Sequence, residues 1–327
     1  MNVTPPIIGV ALGDPNGIGP EIAVKAIAQR AGRGARCVLV GDAWLIRQEA
    51  AKYAPDHVCQ PFNAGMSNVE GIIPYLDVAA LSPEDWQPGV VSAASGAAAV
   101  AYVTQALRLA QSQVFDAVVG APHNEQAIHE AGIAFNGYPG LVARLNGLDE
   151  NQVFLLLVSP ELKIGHVTLH ESVKDALRRL TPELVVQAAR AVIAATQRMG
   201  IERPRLGVFG INPHASEGGL FGAEDAQITY PAVRQLQAEG YDVSGPVGGD
   251  VLLANRVHDV YLAIFHDQGH IPMKLISPRS ACALSVGAPQ LFSSVGHGSS
   301  HDIAGQGKAD PSALLRAISN LARGRQA

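Results

Sequence analysis

Short apolar runs recur along the chain, most of them followed by glycine and polar residues and then by a stretch with apolar positions at helical spacing. Ile7–Leu12 is the first, followed by Gly13-Asp14-Pro15-Asn16-Gly17-Ile18-Gly19 and then by Ile22, Ala23, Ala26 and Ile27 behind Pro20, a residue suited to a first helical position. Further runs of strand length stand at Cys37–Val40, Val114–Gly120, Val153–Val158, Lys163–Val167, Arg205–Ile211, Val260–Phe265, Ala283–Val286 and Leu291–Val295. Helices are predicted over the alanine-rich Ser92–Gln113, whose small face calls for close packing, and from the Thr181-Pro182 start to Gly200. Two more are predicted over Ile228–Glu239 and Pro311–Arg323, while residues 60–89 read as irregular connection with short strands. Strands alternating with helices predict mostly parallel sheet with helices on its faces.

Composition narrows the class without changing the fold. A chain of 327 residues, 47% hydrophobic and 16% charged, is expected to fold as about two domains of an ordinary globular enzyme. The net charge of −5 opposes nucleic-acid binding, which needs a basic field. Cys37, Cys59 and Cys282 are too scattered for a thiolate metal site and read as free thiols. The start carries no basic leader, and Ile7–Leu12 is too short for a signal core or a membrane span, so a cytoplasmic, membrane-free enzyme is expected.

Candidate chemistry sits where strands stop. Three apolar runs end in histidine, at His166, His214 and His266, and in parallel α/β proteins the C-terminal strand edge is where ligands bind. Neutral imidazole binds zinc and other divalent metals, and three such ligands with open positions describe a catalytic site. His170, His270 and His297 stand close enough in sequence to replace one of the three. The loop after Leu12 lacks GxGxxG spacing and loses a donor at Pro15, so it is a weak dinucleotide signal. The glycine-rich run from His297 to Pro311 is stronger: its glycines let backbone approach a ligand, and Ser299, Asp302 and Asp310 offer polar groups to a ribose or adenine.

That last run resembles the cofactor loop of the isocitrate and isopropylmalate dehydrogenases, which bind NAD without a Rossmann fingerprint. Together with Gly13-Asp14-Pro15-Asn16-Gly17-Ile18-Gly19-Pro20-Glu21, Asn212-Pro213-His214-Ala215 and His266-Asp267-Gln268-Gly269-His270, it resembles the 4-hydroxythreonine-4-phosphate dehydrogenase family from end to end. The resemblance implies a two-domain isocitrate/isopropylmalate dehydrogenase-like α/β architecture, with mostly parallel sheets and an interdomain active-site cleft. Its expected division is residues 1–131 with 303–327, against 132–302 carrying most metal ligands and the dimer interface. It implies NAD at Gly298, Ser299, Asp302, Ile303 and Asp310, and a divalent metal on His166, His214 and His266. One of those histidines would come from the partner of a homodimer.

Departures from the family bear on the substrate. Where phosphate-using members carry Gly-His-Thr-Glu this chain has Gly137-Tyr138-Pro139-Gly140, and where they carry Asn-Lys it has Asn124-Glu125. Their downstream Asn and Arg align with Ala283 and Phe292, while Lys274 is retained. A phosphate dianion wants charge-assisted donors, so these losses argue against one. The altered segments resemble the terephthalate dihydrodiol dehydrogenase branch, which implies oxidative decarboxylation of 1,2-dihydroxy-3,5-cyclohexadiene-1,4-dicarboxylate to protocatechuate. On that reading Tyr138, Ala283 and Phe292 face a flat ring and Lys274 pairs with a carboxylate, while Asp250 or Asp267 orients a ligand histidine or relays a proton. The alternatives are the vitamin B6 reaction or oxidation of a related hydroxyacid phosphate, an acyl- or phosphate-transfer enzyme of the same broad architecture, and a non-catalytic binding protein. Zinc suits three histidines, with cobalt, manganese and magnesium as alternatives.

Overall fold

A computed structural model describes residues 5–30, 34–66, 69–278 and 281–323. The regular elements follow in chain order. The first half holds β1 (Ile7–Ala11), α1 (Gly19–Arg30), β2 (Arg36–Gly41), α2 (Ala43–Tyr53), β3 (Val58–Pro61), β4 (Ile72–Asp77), α3 (Ala93–Gln111), β5 (Ala117–Gly120), α4 (Glu125–Glu130) and α5 (Tyr138–Leu145). Next come β6 (Phe154–Val158), β7 (Lys163–His166), α6 (Val173–Arg179), α7 (Pro182–Arg198), β8 (Leu206–Phe209), α8 (Tyr230–Ala238), β9 (Val243–Val247) and α9 (Gly249–Asn255). The last are β10 (Val260–Ala263), α10 (His266–Ile276), β11 (Cys282–Val286), β12 (Leu291–Val295) and α11 (Ser312–Arg323). The chain divides into two compact units, Met1–Leu141 with Pro289–Gln326, and Val142–Ala288.

In the first unit six strands run in the order β3-β4-β2-β1-β5-β12, every pair parallel. In the second the order is β11-β6-β7-β10-β8-β9, with β6 antiparallel to both its neighbours and the rest parallel. Both sheets are therefore mostly parallel, and their inner strands β5, β8 and β10 are buried along their whole length because helices cover both faces. The alanines of α3 do pack closely: a Cβ on Gly96 would lie 2.1 Å from the Ala127 carbonyl of α4. Thr181 caps α7 by accepting from Leu184 N at 3.2 Å, with Pro182 in its first turn and Gly200 (φ 95°) ending it. Cys37, Cys59 and Cys282 are free thiols.

Several elements have no clear periodic signature, namely α4, α5, α6, α9 and β9, but the one that matters most is α10. Gly269 and Pro272 break its apolar pattern, so His266-Asp267-Gln268-Gly269-His270 looks like a loop in sequence. Its start is fixed by a side chain instead: Gln268 Oε1 accepts from both Ile264 N (2.9 Å) and Phe265 N (3.0 Å), turning the strand end into a helix.

Candidate active site

Strands β7, β10 and β8 are adjacent and parallel, so His166, His266 and His214 leave the second sheet at its C-terminal edge. Each histidine has an acceptor at Nδ1: the Leu155 carbonyl at 3.4 Å for His166, Glu217 Oε2 at 2.9 Å for His214, and Asp267 Oδ1 at 2.8 Å for His266. An acceptor at Nδ1 fixes the tautomer and leaves Nε2 with the lone pair that ligates a metal, the arrangement common to metal-binding histidines. His270 differs, its Nδ1 lying 3.1 Å from His166 Nε2 and 3.2 Å from the His266 carbonyl. Burial, reinforced by the neighbouring imidazoles, holds His166 well below the ordinary histidine range and pushes His270 down to about 4. Both are therefore neutral at physiological pH, the form that ligates.

Three groups absent from the expected site hold this edge in place. Gln268, besides starting α10, donates from Nε2 to the Gly210 carbonyl at 3.0 Å and so ties the His266 turn to the strand end leading to His214. Gly269 lets α10 lie directly on His166, since a Cβ there would come within 2.2 Å of Nε2. Asp225 is fully buried and accepts from Ile211 N (2.8 Å), Asn212 N (3.0 Å), Ser216 Oγ (2.8 Å) and Thr229 Oγ1 (2.6 Å). Above it His214, Ala215, Ser216 and Glu217 all take positive φ, between 43° and 69°. Left-handed backbone costs L-residues roughly 1–2 kcal/mol each, and the Asp225 bonds offset that strain by pinning both sides of the turn.

The other expected residues of this unit are placed as follows. Lys274 is exposed in the last turn of α10, Asp250 is exposed in the first turn of α9, and Ala283 is half-buried in β11 opposite Leu157. Asp267 is the one carboxylate of the pair bonded to a candidate ligand. Among the described residues no three His, Cys, Asp or Glu side chains stand together as a metal site within one chain, so His214 is not grouped with the other two.

The first unit presents a different edge. Strands β1, β5 and β12 are neighbours and parallel, and the loops after them carry Asp14, His123 and the run 297–310. The N-terminal glycine loop clamps that run. Ile18 N donates to the Ser299 carbonyl at 2.9 Å, and a Cβ on Gly17 would meet Ser299 at 2.6 Å. Glu21, 1% exposed, accepts from Ala309 N (2.9 Å) and Gly307 N (3.2 Å), while Lys25 donates to the carbonyls of both. Asp14, fully buried, takes His301 Nε2 at 3.0 Å. Within the run, Gly298 faces open space, the buried Ser299 hydroxyl has no partner, Asp302 is exposed, and Ile303 is half-buried in a single helical turn. Asp310 accepts from Ser312 N and Oγ, which caps α11 and keeps its carboxyl below the usual range.

Tyr138 and Phe292, expected to face a ring, are packed inward. They are 6% and 1% exposed with ring centres 4.7 Å apart, and Tyr138 donates to the Ala121 carbonyl at 3.1 Å. Gly120 at the end of β5 makes room for them, a Cβ there lying 3.0 Å from Tyr138 and 3.1 Å from Phe292. Burial and the Asp14 charge raise the Tyr138 phenol far above its ordinary range, so it stays protonated. His123 and Phe135 form the outer layer of this cluster, 4.5 and 5.8 Å from Tyr138.

Mostly parallel α/β units that present histidines and glycine loops at the C-terminal ends of their strands belong to the α/β class, whose ligands bind at that edge. Comparison with known proteins narrows this. The family model described as "Pyridoxal phosphate biosynthetic protein PdxA" matches residues 33–321, and the chain belongs to that family. A 1,2-dihydroxy-3,5-cyclohexadiene-1,4-dicarboxylate dehydrogenase from Comamonas sp is 48% identical over 315 residues, 96% of each chain. Among solved structures, a terephthalate 1,2-cis-dihydrodiol dehydrogenase from Burkholderia xenovorans is 48% identical with a TM-score of 0.74, over 98% of this chain and 99% of that one. A 4-hydroxythreonine-4-phosphate dehydrogenase from Klebsiella pneumoniae is 34% identical with a TM-score of 0.86, over 98% and 100%. The chain is thus an oxidoreductase. Among its described residues no helix is long and apolar enough to cross a membrane.

Proposed function

We propose that the protein oxidises 1,2-dihydroxy-3,5-cyclohexadiene-1,4-dicarboxylate with NAD and a divalent metal, releasing one carboxylate as carbon dioxide and giving protocatechuate. The observation that carries this reading is the aromatic cluster of His123, Phe135, Tyr138 and Phe292, at and around positions where phosphate-using relatives would need cations. The name of the Comamonas relative supports it. The reaction balances: the substrate dianion and NAD⁺ become protocatechuate anion, carbon dioxide and NADH. The C2 hydrogen leaves as hydride, the bond from C1 to its carboxylate breaks, and its electron pair enters the ring. The proton lost from the C2 hydroxyl is regained as the ring becomes aromatic.

When bound, NAD supplies the hydride acceptor and the cation supplies Lewis acidity toward the alcohol and the developing enolate. His166, His214 and His266 would hold the cation, which their Nδ1 partners favour, and zinc suits three imidazoles best among zinc, cobalt, manganese and magnesium. Asp267 orients His266, Lys274 pairs with a substrate carboxylate, and Asp250 relays a proton. Ala283, Tyr138 and Phe292 shape the ring's surroundings. Gly298, Ser299, Asp302 and Ile303 line the cofactor, for which the open glycine and the unpartnered Ser299 hydroxyl are suited, while Asp310 holds the loop's end. The enzyme works as a cytoplasmic homodimer whose second copy completes the histidine set; exposed Leu275 (78%), Leu220 (72%) and Ile271 (55%) on the second unit support such a partner.

The test is an assay of purified protein with NAD on the dihydrodiol and on 4-phosphohydroxythreonine. Protocatechuate and carbon dioxide formed in equal amounts are expected. Strong turnover of the phosphorylated substrate, with none of the dihydrodiol, would sink the reading.

A further inference from the structure

The Glu125 position poses a problem that the proposed function does not solve. Phosphate-using relatives carry lysine there, and a carboxylate in its place repels an anionic substrate. The geometry around it supplies an answer. Glu125 lies in the first turn of α4, beyond Asn124, whose side chain caps the helix by accepting from Ala127 N at 2.8 Å. Its Oε1 stands 3.9 Å from Nε2 of His123, close enough to form an ion pair with the protonated ring.

His123 itself is built into place. It follows β5 at the C-terminal edge of the first sheet, next to the loop that carries Asp14, since Asp14 N donates to the Pro122 carbonyl at 2.8 Å. Its ring meets Phe135 and Tyr138 edge-to-face at 4.8 and 4.5 Å, both at 70°, so the aromatic cluster fixes its orientation. The side chain is 19% exposed, which is enough for a ligand atom to reach it, while Glu125 at 62% remains largely in solvent. Tyr138 and Phe292 lie beneath it and are closed to a ligand, so His123 is the polar face of the cluster.

We propose that His123 is a specificity-determining residue that binds a substrate carboxylate, with Glu125 as the positioning residue that faces its ring nitrogen. The family's lysine is thereby replaced by a two-residue device: the donor moves from the helix's first turn to the preceding loop, and a carboxylate takes the lysine's former position to orient it. A ring nitrogen held in place by the aromatic cluster gives a planar carboxylate one directed donor instead of the mobile ammonium suited to a phosphate. This assignment rests on the dihydrodiol reading of the site.

Steady-state kinetics of four variants test it: His123→Gln, Glu125→Gln, the double variant, and His123→Gln combined with Glu125→Lys. Thermal unfolding of each is measured alongside to establish that it is folded. Expected are a rise in KM for the dihydrodiol of about tenfold or more in His123→Gln with kcat within about threefold, a few-fold rise in Glu125→Gln, and no further rise in the double variant. Returning a cation in His123→Gln/Glu125→Lys should recover most of the lost KM, which a purely structural role for His123 would not produce. An unchanged KM in His123→Gln, or additive effects in the double variant, would overturn the assignment while leaving the dihydrodiol reading intact. Wild-type protein without dihydrodiol turnover would overturn both.

Discussion

The two sheet edges are built alike and surfaced differently. Both gather loops at the C-terminal ends of parallel strands, and both rest on fully buried carboxylates, Asp14 in the first unit and Asp225 in the second. The first edge makes its surface from backbone: glycine loops pressed against each other, pinned through Glu21 and Lys25 to the carbonyls and amides of 307 and 309. The second makes its surface from imidazoles, each with its own acceptor and two of them held neutral by burial. A backbone surface suits a large ligand recognised by shape, and an imidazole surface suits a small ion recognised by lone pairs. On the proposed function, the same architecture would separate cofactor binding from metal binding by what lies on its edge.

If that separation is right, variants on one edge should leave the other's ligand untouched. The largest effect is expected from His266→Ala or His166→Ala, which should lower both turnover and bound metal by more than the ~100-fold that loss of a supporting partner costs. Elemental analysis and activity are read together, and a fall in NAD affinity of the same size would break the comparison. Asp225→Ala should destabilise by on the order of 3 kcal/mol, because two backbone amides and two hydroxyls lose their acceptor in a buried setting. Urea unfolding measures this, and near-wild-type stability would remove Asp225 from its role under the His214 turn.

Smaller effects sharpen the picture. Asp267→Asn should weaken metal binding by about 10- to 100-fold with little change in stability, as expected for a partner that only orients His266. Competition with a chelator reads the change. Glu21→Gln should cost about 1–2 kcal/mol and raise the KM for NAD a few-fold, since a neutral amide still accepts but loses its charge-assisted bonds to Ala309 N, Gly307 N and Lys25. Metal content is expected to stay constant in that variant, and a parallel loss of metal would mean the two edges are coupled.

What could be read in the sequence follows from how local each feature is. The buried strands announce themselves as apolar runs, and the cap at Thr181 and the stop at Gly200 are decided within a few residues. The histidines at strand ends are equally visible. Their supports are not: Asp225 acts on residues about 13 positions upstream, and Gln268 reaches Gly210 across 58. The N-terminal glycine loop invites a phosphate reading, yet its glycines serve close approach to the backbone at Pro122 and to Ser299. Tyr138 and Phe292 are expected to face a ring from their aromatic character and from the family positions they occupy. Only packing shows them tilted against each other in the interior, with His123 outside.

The clamp on the C-terminal loop has a consequence for the order in which the protein is made. Asp14 and Glu21 are synthesised well before their partners His301, Gly307 and Ala309, which emerge 286–288 residues later. β12, which pairs with β5, is equally late. The second unit, Val142–Ala288, is complete on the ribosome while the first still lacks one strand and the groups at 301, 307 and 309 that meet its buried carboxylates. A nascent chain therefore carries a folded second unit while the β5 edge of the first is still open, and a premature stop after residue 288 leaves Asp14 without His301 and Glu21 without the amides of Gly307 and Ala309. Such a fragment should need chaperone protection even though half of it is already folded.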